Sequence, residues 1–135
     1  MRKAYPLYVV DDDPSVHDWA DIVCEEEGLP CRMFGDGDEF LGALGDLGPG
    51  CVLLDMRMPR RSGLQVQAEL ARSRGDLPVI AMTGYGDVDV AVKSMKLGAI
   101  DFLEKPFAKE VLFEALEQGF RRLDQITARA RAARS

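Results

Sequence analysis

Three apolar runs in this chain end abruptly in polar or acidic residues, and they constrain its fold more than anything else. Leu7-Tyr8-Val9-Val10 stops at Asp11-Asp12-Asp13, Cys51-Val52-Leu53-Leu54 stops at Asp55, and Pro78 to Met82 stops at Thr83-Gly84. Short unbroken apolar runs bounded by turn residues read as strands buried on both faces. Such strands belong to open α/β sheets, whose ligands gather at the carboxyl ends of the strands. Asp55 stands at such an end, with Pro59 stopping the element and Gly63 in the loop that follows.

The segments between the runs read as helices. Pro14 suits a first helical position with Asp13 as its cap. Val16, Trp19, Ala20 and Val23 follow at helical spacing, and Gly28 closes that helix. Trp19 reads as a packing residue and His17 as a surface one. Cys31 to Phe34 is a short strand. Asp36 and Glu39 then have capping-box spacing, and Phe40, Leu41, Leu44 and Leu47 form a helical face. Ser62 caps a helix from about Gly63 to Arg74. Asp87 caps the next, with Val88, Ala91, Val92 and Met95 as its apolar face and Gly98 as its end. Asp101 to Leu103 is a brief fifth strand, and a last helix begins near Ala108. Strand and helix thus alternate five times with short connections. That order requires a parallel sheet with right-handed crossovers and helices on both faces.

A chain of 135 residues suffices for one domain with a real core. Its net charge of −6 argues against a nucleic-acid surface on the globular part. The charge is uneven. Residues 121–135 hold five arginines against the single acid Asp124, a net of +4, which leaves −10 on the rest. Cys24, Cys31 and Cys51 fit no zinc spacing, and His17 is the only histidine. The first residues do not form a signal peptide, and no apolar stretch approaches transmembrane length. The expectation is a cytoplasmic protein with reduced thiols.

In a parallel sheet every carboxyl end points the same way. Asp11, Asp12, Asp55, Thr83 and Lys105 therefore collect at one edge although they lie far apart in sequence. Each alone has an ordinary reading as a turn former, helix cap or solvated side chain; their joint placement points to chemistry. Crowded carboxylates repel unless a cation joins them. Oxygen ligands select a hard cation, Mg²⁺ above all. A lysine offers a point charge for an anion and a threonine one donor. Together they describe phosphoryl transfer with a carboxylate as nucleophile.

Four stretches resemble the response-regulator receiver domain of two-component signalling. They are Val9-Val10-Asp11-Asp12-Asp13, Asp55-Met56-Arg57-Met58-Pro59 with Gly63, Ala81-Met82-Thr83-Gly84, and Phe102-Leu103-Glu104-Lys105-Pro106-Phe107. Thr83 to Val88, with Gly98 to Phe102, is similar to receivers of the FixJ/NtrC kind. The resemblance implies a (βα)5 flavodoxin-like, CheY-like fold with strand order 2-1-3-4-5, a receiver over residues 1–120, and residues 121–135 as a helical extension or linker. It implies that Asp55 accepts a phosphoryl group from a phosphohistidine of a sensor histidine kinase or phosphotransfer protein. Asp11, Asp12, Asp55 and the backbone carbonyl of Arg57 would hold Mg²⁺. Lys105 and Thr83 would meet the phosphoryl oxygens, Phe102 would follow Thr83, and the Lys105–Pro106 bond would be cis. The face of fourth helix, fifth strand and fifth helix would bind a partner or a second copy, without direct nucleic-acid or membrane contact.

A haloacid-dehalogenase-type phosphohydrolase also uses a strand-end aspartate with Mg²⁺, but it needs a second acid two residues on, where this chain has Arg57. A flavodoxin-like cofactor carrier would want a phosphate loop after the first strand rather than three acids. In the tail, Val111, Ala115, Leu116, Phe120, Leu123, Ile126 and Ala130 continue a helical pattern without Pro or Gly after residue 119. The last helix either projects past residue 120 or frays into a solvated linker.

Overall fold

The computed structural model describes residues 5–134. Its strands are β1 (Leu7–Val10), β2 (Cys31–Phe34), β3 (Cys51–Asp55), β4 (Val79–Thr83) and β5 (Asp101–Glu104). Its helices are α1 (Pro14–Glu27), α2 (Gly37–Ala43), α3 (Gly63–Ser73), α4 (Val88–Lys96) and α5 (Lys109–Arg134), with a 3₁₀ turn at Leu44–Asp46. The five strands are parallel in the order β2-β1-β3-β4-β5. Among the described residues no helix is long and apolar enough to cross a membrane.

Alternating side chains divide the core between the two sheet faces. Leu7, Val9, Leu53, Ile80, Met82 and Leu103 pack against Ala20 and Cys24 of α1 and Leu112, Leu116 and Phe120 of α5. Val10, Val52, Leu54, Val79 and Ala81 pack against Phe40 of α2 and Val66 and Leu70 of α3. All residues of β1 and β3 are buried, as unbroken apolar runs require.

Local chemistry explains most boundaries. Asp13 accepts from the Ser15 N–H at 2.9 Å, and Gly28 closes α1 at φ 64°. Ser62 and Gln65 form a reciprocal capping box on α3. The box expected at Asp36 is only half made. Asp36 accepts from the Glu39 N–H, but the Glu39 carboxylate reaches the Gly35 N–H instead. The fourth strand begins one residue later than expected, because Pro78 has no N–H and contributes only its carbonyl, to Val52.

Helix α4 departs further from expectation. Val88, Val92 and Met95 do not pack inward; they are 68%, 47% and 46% exposed. The inward side is Val90, Ala91 and the fully buried Ser94. Ser94 donates to Gln67 Oε1 at 2.7 Å and accepts from Gln67 Nε2 through its carbonyl at 2.9 Å. A polar clasp therefore joins α4 to α3, beside Val90, which packs against the apolar cluster that holds Val66 and Leu70. His17 also differs from its surface reading. It is half-buried, with Nε2 2.6 Å from the Asp11 carbonyl oxygen.

Helix α5 runs without a break to Arg134. Gly119 lets it approach β3, since a Cβ there would lie 2.3 Å from Cys51 Sγ. Leu123 is buried, Ile126 and Thr127 are half-buried, and Tyr5 donates to Asp124 Oδ1 at 2.7 Å. Residues 128–134 are all exposed. Amide exchange should therefore show protection through about Ile126 and fast exchange beyond Ala128, since unpacked helical turns are marginal in water. Full exchange from Arg121 onward would contradict this.

Candidate functional site

The ladder between the two central strands builds the site. Val10 registers with Leu54, so Asp11 and Asp55 emerge side by side from adjacent strands. They are 0% and 4% exposed. Asp12, one residue further along, faces solvent. One carboxylate oxygen from each of the three lies within 4.8 Å of the others. Backbone turns orient them: Asp11 Oδ1 accepts from the Asp13 N–H at 2.9 Å, and Asp55 Oδ1 from the Arg57 N–H at 3.1 Å.

Lys105, just past β5, reaches across this group. Its Nζ donates to Asp11 Oδ2 at 2.9 Å and lies 3.5 Å from Asp55 Oδ2. The Lys105–Pro106 bond is cis, as the resemblance implied. One ammonium does not balance the site. Burial, and then the Asp11 charge, push the Asp55 carboxyl up to about 7 despite the Arg57 N–H and Lys105. Burial also opposes the charge on Lys105, but Asp11 and Asp55 together outweigh it and hold its pKa above the usual value. The donor set is all oxygen, and positive charge is in deficit. Both properties fit a hard divalent cation.

Thr83 ends β4 and is fully buried. Its hydroxyl donates to Asp87 Oδ2 at 2.9 Å. Arg57 reaches the same carboxylate through Nε at 2.8 Å and Nη2 at 2.5 Å. The Arg57 contact first, and the Thr83 hydroxyl second, hold the Asp87 carboxyl down to about 2. This corrects the reading of Asp87 as a helix cap. It occupies the N-cap position of α4, but its side chain makes no cap hydrogen bond. Phe102 registers with Ala81, two residues before Thr83, and so shares a sheet face with Thr83. It is half-buried against the cluster on that face.

Four of the expected residues thus meet at one edge, Asp11, Asp12, Asp55 and Lys105, and Arg57, expected to offer its carbonyl, donates its backbone N–H to Asp55. Thr83 lies at that edge with its hydroxyl turned to Asp87. Sequence reasoning missed His17, whose ring meets the Asp11 carbonyl, and missed Asp87 as a partner of Thr83. The position of Asp87 four residues after Thr83 was the available signal; its pairing with Arg57, thirty residues away, had none. Beside Lys105 opens a cavity of about 220 Å³ lined by Val16, Trp19, Met82 and Phe107. Trp19 packs edge-on to Phe107 at 5.5 Å, which agrees with its packing role. Arg57, where a dehalogenase-type hydrolase needs an acid, is engaged with Asp87.

Comparison with known proteins identifies the family and the fold. The family model described as the response regulator receiver domain matches residues 7–117. The transcriptional regulatory protein FixJ of Bradyrhizobium diazoefficiens is 39% identical over 118 residues, covering 87% of this chain and 58% of FixJ. The response regulator protein TmoT of Ectopseudomonas mendocina is 43% identical over 110 residues, covering 82% of this chain and 50% of TmoT. The chain spans about half the length of the curated relatives it matches. Full-length FixJ from B. japonicum superposes with a TM-score of 0.86 at 36% identity, over 94% of this chain and 63% of that one. The FixJ-N crystal structure gives 0.82 at 35%, over 88% and 94%. A parallel 2-1-3-4-5 sheet carrying this acidic edge, matched along nearly its whole length, places the chain in the response-regulator receiver domain family of two-component signal transduction.

Proposed function

We propose that Asp55 is the phosphoacceptor of this receiver and that Asp11, Asp12, Asp55 and the Arg57 carbonyl hold Mg²⁺. The carrying observation is the buried Asp55 carboxylate, packed against Asp11 and 3.5 Å from Lys105 Nζ. An Asp55 oxygen attacks phosphorus, the phosphorus–nitrogen bond to a donor histidine breaks, and the freed imidazole takes a proton. Lys105 pairs with a phosphoryl oxygen and keeps it near the nucleophile. Bound Mg²⁺ supplies positive charge between the carboxylates and the incoming dianion. Small phosphodonors replace phosphohistidine by the same displacement, their own leaving group departing in place of imidazole. In slow hydrolysis a water oxygen attacks the phosphorus, the bond to the Asp55 oxygen breaks, and the free carboxylate and inorganic phosphate result.

The donor partner is a sensor histidine kinase or phosphotransfer protein, met in the cytoplasm. The output face is α4-β5-α5, where Val88, Val92, Met95 and Val111 stand exposed. A second copy of the chain is one partner for it. Residues 1–120 form the receiver, and 121–134 extend α5 as a basic stalk.

Acetyl phosphate with Mg²⁺, followed by borohydride reduction and peptide mass spectrometry, tests the assignment. The trapped residue should be Asp55, and chelation of Mg²⁺ should abolish trapping. Modification of another carboxylate, or undiminished modification without metal, overturns it.

A further inference from the structure

Thr83 and Asp55 share one sheet edge, yet the Thr83 hydroxyl is engaged elsewhere. It donates to Asp87 Oδ2 at 2.9 Å, on a carboxylate that Arg57 also grips through two nitrogens. A hydroxyl has one proton to donate. Thr83 therefore cannot donate to Asp87 and to an oxygen on Asp55 at once. Asp87 meanwhile stands at the N-cap of α4 without capping it. An aspartate there ordinarily accepts from an N–H of the first helical turn. One side chain thus has two uses within reach and fulfils only one. Arg57 joins the arrangement to the nucleophile, because its backbone N–H donates to Asp55 Oδ1 at 3.1 Å.

We propose that Asp87 is a latch: held by Arg57, it keeps the Thr83 hydroxyl from Asp55, and once Thr83 leaves it turns to cap α4. The proposal rests on the phosphoacceptor reading above and adds Asp87 and Arg57 to it as positioning residues. Phosphoryl oxygens on Asp55 compete with Asp87 for the Thr83 proton. When they win, Asp87 keeps only its pair with Arg57, whose side chain is 65% exposed. Exposed pairs hold weakly, and the first turn of α4, which has no side-chain cap, then draws the carboxylate over. The capped helix carries the exposed Val88, Val92 and Met95. Asp87 is then a two-state element biased at one end by Asp55 chemistry and at the other by α4.

Beryllofluoride binding in Mg²⁺, followed by NMR, measures the latch directly. Asp87→Ala should bind about three- to tenfold more tightly than wild type, the size of one charge-assisted hydrogen bond reduced by exposure. Arg57→Gln should shift affinity in the same direction by less. In a Thr83→Val background the Asp87→Ala gain should disappear, because no hydroxyl is left to hold. Beryllofluoride should also slow amide exchange at Asp89 and Val90 in wild type but not in Asp87→Ala. Equal affinities of wild type and Asp87→Ala, or a gain that persists with Thr83→Val, overturn the latch. Failure of wild type to bind beryllofluoride at Asp55 overturns the phosphoacceptor reading itself, and the latch with it.

Discussion

Asp55→Asn should reduce phosphoryl labelling to background and, in the absence of metal, make the domain harder to unfold above pH 7. The first effect follows from loss of the nucleophile. The second follows from charge. Asp55 has its pKa raised to about 7 in the folded protein, from an ordinary value of 3.8. The folded state therefore binds this proton more tightly than the unfolded one. Stability falls as pH rises from about 4 to about 7, and the full penalty persists above that. Each pKa unit corresponds to about 1.4 kcal/mol, but coupling to Asp11 and residual solvent screening reduce the total, so about 1–3 kcal/mol is expected. Asparagine keeps an acceptor for the Arg57 N–H and carries no charge. Urea unfolding in chelator at pH 5 and pH 8 checks this. The variant should exceed wild type by a smaller margin at pH 5, where only part of the penalty has accumulated, and by the full margin at pH 8. Magnesium should recover the wild-type deficit at pH 8 and do little for Asp55→Asn. A variant no more stable than wild type at pH 8 would show that Lys105 alone balances the two buried acids.

Gly63→Ala should be severely destabilising, by about 3 kcal/mol, which lowers Tm by roughly 10 °C in a domain of this size. A Cβ at residue 63 would lie 2.3 Å from the Asp55 carbonyl oxygen and 2.5 Å from Met56 Cα. Both obstacles are main chain, so no rotamer change relieves them. The Gly63 N–H also donates to the Met56 carbonyl at 3.1 Å, tying the start of α3 to the end of β3. Relief of the clash would displace the strand end that carries Asp55. Phosphorylation rate should therefore fall together with stability. Gly42→Ala is the matched comparison: it lies within α2, and an added Cβ meets nothing within 4 Å. It should be neutral or slightly stabilising. Equal melting temperatures for the two variants would refute the close-approach argument for Gly63.

The central strands and the acidic edge were legible because each rests on a local pattern. Val9-Val10-Asp11 and Leu53-Leu54-Asp55 announce buried strands ending in acid, and parallel pairing brings the two ends together without further information. What a side chain does at a junction was less legible. Asp87 and Glu39 both occupy capping positions, yet Asp87 turns to Thr83 and to Arg57, thirty residues away, and Glu39 to the Gly35 N–H rather than to that of Asp36. Helix α4 shows a second limit. Val88, Val92 and Met95 have core-like spacing, but Ser94 and Gln67 win the inward side by satisfying each other's polar groups. Periodicity identifies an apolar stripe, not what covers it. The contact of His17 with the Asp11 carbonyl depends on how the first turn of α1 folds back over β1, which no sequence spacing encodes.

The strand order has a consequence for association. With β2 and β5 outermost, an unprotected flank would invite pairing with an extended segment of another molecule and, eventually, aggregation. Both flanks are four residues long. Arg32 is exposed on β2, and the Gly35 N–H just beyond that strand is taken by Glu39. On β5 the Phe102 N–H is taken by the Asp101 carboxylate at 2.8 Å, and Glu104 is exposed. Each flank is therefore short, carries an exposed charge and has one main-chain donor at or beside it already engaged. Strand addition is thereby disfavoured at both flanks, so a partner that meets this domain must engage side chains rather than extend the sheet.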